Sequence, residues 1–354
     1  MVKQERRRAP AWPLRAAGLG LCLLLFLFLL PLLLLPGEGG EDREPPEDPL
    51  PTATLPLVEP APSAAAEPLR GWDAGQTLRL LKTDGTVEEL TLQDYLWGVT
   101  AAEMPASFHL EALKAQTVAA RTYCLYQRSG EGEKHPGADV CSDYTCCQAY
   151  LTPDQAAVGW GADAAQYSAK IAQAVSETDG LLCLYDGEPI DAVFFSSTAG
   201  RTSDAVAVWG REVPYLSAVD SPEGQEVPGW QTVVTFTPGE FTARFQAAYP
   251  DSDLTALPQE WFRDLTTDDS GMVTSVTIGG VSLSGGQARS LFGLRSAHFT
   301  AAATEEAVTF QVTGYGHGVG LSQYGANALA GEGRTFQDIL EWYYTGVTVA
   351  PALS

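Results

Sequence analysis

The sequence predicts an α+β fold, mostly antiparallel sheet with helices around a substrate cleft, preceded by an N-terminal membrane anchor and a disordered linker. Three observations carry this. β-like runs come in pairs around Asp84-Gly85, Asp186-Gly187 and Gly279-Gly280, which are tight-hairpin signals. Helical periodicities lie between the hairpins rather than forming crossovers between parallel strands. A long uncharged apolar run followed by a Pro-rich acidic stretch occupies the first seventy residues.

Residues 1–15 hold Lys3, Arg6, Arg7, Arg8 and Arg15 and read as a cytoplasmic basic tail. Residues 16–36 contain the run Ala16 to Leu35, as long as a bilayer span requires, and read as a signal anchor that leaves the folded domain outside the cytoplasm. The competing reading is a cleaved signal peptide. Against it, the run is long for such a segment and Pro36-Gly-Glu-Gly-Gly offers no small-x-small cleavage site. Residues 37–70, rich in Pro, Glu, Asp and Ala, predict a disordered tether. Residues 71–350 remain for the folded domain, with an inserted subdomain expected over 251–296.

Along that domain, Thr77 to Leu90 predicts a hairpin. Thr91 and Asp94 then cap a helix from about Leu92 to Ala102. Pro105 excludes Met104 from helical backbone, so this helix stops at or just before Glu103. Ser107 is the expected cap of a second helix reaching Arg128, free of Gly and Pro and with a small face of Ala112, Ala115, Ala119 and Ala120. Lys114 and Arg121, seven residues apart, share a face of it. Gly130 to Gln148 reads as a loop, Tyr167 to Ser176 as a helix, Leu181 to Phe195 as a hairpin. Thr232 to Phe236 and Val308 to Val312 read as strands, and Met272 to Leu283 as a further hairpin. A helix from Ser322 and one capped by Thr335 and Asp338 complete the chain.

The formal net charge is -23, from 21 basic and 44 acidic residues; five of the basic and one of the acidic residues precede the anchor, so the chain beyond it is more acidic still. Such a surface repels nucleic acid and anionic headgroups, and excludes both as ligands. Six cysteines are present, Cys22 in the anchor and five beyond it, an odd set for a disulfide framework.

Three constellations could carry chemistry. Glu103 stands at a helix C-terminus, against the negative end of the macrodipole and beside apolar neighbours. Both effects raise its pKa toward the range of a general acid. A solvated turn residue is the alternative on local grounds. The glycines at 314, 316, 318 and 320 match neither a Walker loop nor G-x-G-x-x-G, which removes a nucleotide site. They suit a loop brought close to a ligand, presenting His317, Ser322, Gln323 and Tyr324, or equally a tight structural turn with a buried His. His135, Cys141 and Cys147 offer three zinc ligands, with Cys146 as a spare, or else a Cys141–Cys147 disulfide. No second carboxylate stands at readable spacing from Glu103, which points away from two-carboxylate glycoside hydrolysis.

The motifs Tyr95-Leu-x-Gly-Val with Ala102-Glu-Met-Pro, Glu111-Ala-Leu-Lys-Ala-Gln with Val118-Ala-Ala-Arg-Thr-Tyr, and Gly316-His-Gly-Val-Gly-Leu-Ser-Gln-Tyr-Gly-Ala resemble the stage II sporulation protein D family. The resemblance runs from about Thr77 to Val347. It implies a lytic transglycosylase acting on peptidoglycan glycan strands stripped of stem peptides. The partners it implies are an amidase and membrane proteins of the engulfment machinery. Glu103 would protonate the glycosidic oxygen and then deprotonate the C6 hydroxyl of muramic acid. Lys114 and Arg121 would line the cleft, and His317, Ser322, Gln323 and Tyr324 the opposite wall. A structural zinc would be held by His135, Cys141 and Cys147, while Cys146 stands where the family frequently has His. Relatives called amidase enhancers share these motifs, so the resemblance also admits a non-catalytic peptidoglycan-binding enhancer of an N-acetylmuramoyl-L-alanine amidase. An envelope scaffold acting only through its tether is the weaker third reading.

Overall fold

The computed structural model describes residues 68–129 and 134–352. The expected basic tail, the anchor and nearly all of the linker lie outside the described residues. Among the described residues no helix is long and apolar enough to cross a membrane.

The architecture is α+β, with several small sheets and interleaved helices. Thr77–Leu81 and Val87–Thr91 pair antiparallel across the Asp84-Gly85 turn, and Leu181–Tyr185 pairs with Glu188–Pro189 and Thr348–Pro351. Among the described residues only two short pairings are parallel: Leu80-Leu81 with Val140-Cys141, and Phe194-Phe195 with Leu321-Ser322.

The helix Leu92–Glu103 starts where its cap predicts, with the Thr91 hydroxyl accepting from the Asp94 N–H. It ends as Pro105 requires, because Met104 is extended at φ -118° and ψ 143°. The next helix differs from expectation. It runs Leu110–Ser129, and its first turn closes from His109, whose carbonyl accepts from Leu113 N–H. The Phe108 N–H is consumed by a turn to Pro105 O at 2.9 Å, so Ser107 is used up in that turn and does not cap. The Asn327 side chain takes the His109 N–H instead, at 2.8 Å. The small alanine face is buried as predicted and permits close approach of the first helix, where Thr100 and Thr117 hydroxyls meet at 3.0 Å.

A second core gathers Phe241, Phe245, Trp261, Phe292 and Phe310 between two three-stranded sheets and the helices Pro238–Ala248 and Gly285–Phe292. It draws on more chain than 251–296. The reason is register: Gln231–Phe236 pairs antiparallel with Val308–Thr313, Gln231 opposite Thr313, so the segment leaves and rejoins the rest of the fold side by side.

Candidate active site

Glu103 owes its position to the helix break. Just past it the chain turns extended, which leaves the carboxylate at the helix terminus and half-buried in a groove. Two cavities, of about 1100 and 400 Å³, meet at this residue, and both are lined by Glu103, Gln323, Arg295 and Tyr315. Among the described residues lining them, Glu103 is the only carboxylate. Its Oε1 accepts from the Ala149 N–H at 2.6 Å and its Oε2 from the Gln323 amide at 3.4 Å. Burial raises the Glu103 pKa, and these two hydrogen bonds oppose it only partly. Gln323 is held in turn by Gln116, whose Oε1 accepts from the same amide at 3.3 Å.

The glycine loop packs on its own protein. Tyr315 and Ser197 exchange backbone hydrogen bonds of 2.8 and 3.1 Å, and a Cβ at Gly316, where φ is 122°, would fall 2.5 Å from the Phe195 Cβ. The glycines thus serve close strand contact. His317 follows from this. Its Nε2–H donates to Phe194 O at 3.0 Å and its Nδ1 accepts from Val319 N–H at 3.2 Å, between the rings of Phe195 and Trp209. Burial, with the Arg289 charge second, lowers its pKa to about 4. It lines the groove as a neutral ring with both nitrogens engaged, which leaves it no part as a base.

Ser322 does not reach the groove. It caps the helix Gln323–Gly331 and donates to Glu223 Oε1 at 2.5 Å. Glu223 is buried and also accepts from Thr198 N–H at 2.7 Å and from the Ser221 hydroxyl, which Tyr343 supports. This carboxylate ties the 196–198 wall to the helix that carries Gln323; nothing local in the sequence marks it. Tyr324 lines the smaller cavity, edge-on to Phe108 at 4.9 Å.

Lys114 and Arg121 are not brought into the groove, and their expected place there is corrected. Lys114 bridges Glu111 and Glu177 at 2.7 and 2.6 Å. Arg121 is fully buried, its guanidinium held bidentate by Asp73 at 2.8 and 2.6 Å. Arg121 is turned into the core, and Lys114 is held in ion pairs at its edge. The groove's cations are instead Arg289 and Arg295, supplied by the segment that builds the second core. Its exposed aromatic rim is Tyr144, Trp209 and Tyr315.

One wall of the larger cavity is the loop of residues 144–149. Here the ligand atoms of His135, Cys141, Cys146 and Cys147 all lie within 4.8 Å of one another. The turn that brings Cys146 and Cys147 together is built on Asp143, whose carbonyl accepts both their N–H groups at 3.0 and 2.8 Å. His135 Nε2 stands 3.2 Å from the Cys147 sulfur and 3.7 Å from that of Cys146. Cys141 and Cys147 are not bridged. One nitrogen and three sulfurs converge here, Cys146 among them, and four such donors match the ligand types of a closed tetrahedral zinc site.

The family model described as Stage II sporulation protein matches residues 82–185. Stage II sporulation protein D of Bacillus subtilis (strain 168) is 36% identical over 269 residues, 75% of this chain and 76% of that one. The protein of the same name from Bacillus amyloliquefaciens matches at the same identity and coverage. A Bacillus subtilis (strain 168) protein named amidase enhancer is 29% identical over 312 residues, 72% of this chain and 40% of its own length. At 36% identity over three quarters of both chains, the likeness is sufficient to place this one: the chain belongs to the stage II sporulation protein D family.

Proposed function

We propose that this protein is a membrane-anchored peptidoglycan lytic transglycosylase that cleaves glycan strands, already stripped of stem peptides, during sporulation. The observation that carries the reading is the solitary, proton-favouring carboxylate of Glu103 at the meeting point of two cavities. A sugar chain laid through both places its scissile bond at Glu103. The protonated acid gives its proton to the glycosidic oxygen as the C1–O bond breaks. The resulting carboxylate, supported by Ala149 N–H and the Gln323 amide, takes the proton of the same sugar's C6 hydroxyl. O6 then bonds to C1, closing a 1,6-anhydro ring, and Glu103 ends protonated as it began. No activated water enters, so no second carboxylate is needed. Tyr144, Trp209 and Tyr315 offer flat apolar faces for pyranose rings.

A zinc ion held by His135, Cys141, Cys146 and Cys147 would cross-link the loop that ends in Ala149. With four protein donors it has no open position for substrate and would serve structure alone. Removing it should therefore act on Glu103 only through that loop. Cys146→Ser is expected to lose bound zinc by elemental analysis and to unfold at lower temperature. Full zinc content in that variant, or a Cys141–Cys147 disulfide found by peptide mass spectrometry of the native protein, would overturn the assignment.

The likeness to a protein named amidase enhancer favours a second reading, in which the groove holds peptidoglycan without cutting it and stimulates a partner amidase. One incubation separates the two. With peptide-free glycan strands, the purified protein should yield 1,6-anhydromuramyl ends, identified by mass spectrometry. If none form, while the rate of an added N-acetylmuramoyl-L-alanine amidase rises, the enhancer reading takes its place.

A further inference from the structure

In a protein of net charge -23, the groove around Glu103 is lined by one carboxylate and two arginines. This inverts the charge balance of the rest of the chain. Arg121, Arg201 and Arg79 all meet an aspartate, whereas neither Arg289 nor Arg295 forms an ion pair among the described residues. Both are half-buried. Arg289 sits in the last turn of the helix Gly285–Phe292, and the one hydrogen bond it makes there runs from Nε to Leu294 O at 3.4 Å. Arg295 gives one Nη to Gly229 O at 3.1 Å and lays its guanidinium over the Tyr315 ring at 4.2 Å. Neither contact brings a negative charge. A half-desolvated guanidinium without a counter-charge is unfavourable, so the pair is electrostatically complete only when an anion enters the groove.

We infer that Arg289 and Arg295 read the free lactyl carboxylate of a muramic acid residue, and thereby determine which glycan strands the groove accepts. The inference rests on the glycan-cleaving reading above. Arg295 lines both cavities, as Glu103 does, and so stands where a sugar next to the scissile bond would place its acidic substituent. The guanidinium fork matches a carboxylate in two parallel hydrogen bonds. Amidation of that carboxylate by a stem peptide removes the charge and puts an N–H donor where the fork needs an acceptor. A phosphate diester of another wall polymer offers similar chemistry, and the experiment must tell it apart.

The test uses the full chain carrying Glu103→Gln, which stops turnover, and measures binding by calorimetry. The ligands are peptide-free glycan strands and the same strands with lactyl carboxylates converted to methyl amides. The acid strands are expected to bind roughly tenfold or more tightly. Adding Arg295→Gln or Arg289→Gln should remove most of that ratio, while Arg295→Lys should keep part of it. Because both ligands are measured on one variant, the ratio is insensitive to a fraction of misfolded protein. Equal binding of the two strands by the Glu103→Gln protein, an unchanged ratio in both glutamine variants, or displacement of the acid strands by a glycerol phosphate polymer at equal concentration would each overturn the inference. Wild-type protein run on both strands separates the two failures. Anhydro ends from both at equal rates would end this inference and leave the cleavage reading standing. No anhydro ends from either would end the cleavage reading, with the binding ratio still deciding the arginines.

Discussion

Replacing Glu103 by Gln should lower the rate of 1,6-anhydromuramyl formation by about 10²–10⁴-fold, with binding of the strands retained. The substitution keeps shape and keeps an oxygen for the Ala149 N–H, and removes the one proton that moves. Stability should follow pH in a defined direction. Burial raises the Glu103 pKa above its ordinary 4.5, so the folded state binds that proton more tightly than the unfolded chain does. The resulting contribution is fully present below pH 4.5 and is lost as pH rises through the raised folded value. The Gln variant lacks this slope. Urea unfolding at pH 4 and pH 7 should therefore show the wild type losing ground to the variant at the higher pH, and loss of both activity and stability at pH 7 would mean that Glu103 is structural. The pH dependence of kcat/KM should fall on the alkaline side as the acid ionises, with its limb above 4.5. No His317 limb should appear near 6.5, because that ring, lowered to about 4, is already neutral there.

Much of the frame around Glu103 was legible because it is local. Pro105 fixes Met104, Thr91 with Asp94 fixes the helix start, and the Asp-Gly pairs fix two hairpins, each within a few residues. The same locality explains the Thr335 capping box. What stayed hidden depends on distant partners. Spacing placed Lys114 and Arg121 on one face but could not say what that face meets. Arg121 finds Asp73 forty-eight residues earlier, while Lys114 finds Glu177 well beyond its own helix. Glu223 joins Ser322, ninety-nine residues later, and has no periodic or capping signature. Arg289 and Arg295 reach the groove from the second core, whose true extent depends on Gln231–Phe236 pairing with Val308–Thr313. A charge census could have flagged them, since they are two of few cations in a strongly acidic region, but census alone gives no address. The adjacent Cys146 and Cys147 were visible as a pair; that Cys146 comes together with His135, Cys141 and Cys147 required the Asp143 turn to fold.

Arg121 yields the largest expected effect on stability, and the experiment also decides between cleft and core. Its guanidinium binds Asp73 through two nitrogens, reaches Leu181 O at 3.1 Å through a third, and is fully buried. Burial pushes the Asp73 pKa up, the Arg121 charge and hydrogen bonds pull it down, and the neighbouring Asp179 charge raises it again. Asp179 itself accepts the N–H groups of Gly71 and Asp73 at 2.5 and 2.8 Å, fixing the chain where the folded domain begins. Removing the cation leaves two acids facing each other in a dry site. Arg121→Met should therefore cost about 3–5 kcal/mol in urea unfolding, the range for breaking a buried pair on one side. Arg121→Met with Asp73→Asn should recover a sizeable part, because the uncompensated charge goes with its partner. Glycan cleavage per folded molecule should be nearly unchanged in both variants, measured below the temperature at which they unfold. A substrate-binding arginine would behave in the opposite way, with stability intact, KM raised and no recovery from the Asp73 change. The paired double-variant result is the sharper criterion, since only a residue whose charge is answered inside the protein can be rescued by altering its internal partner.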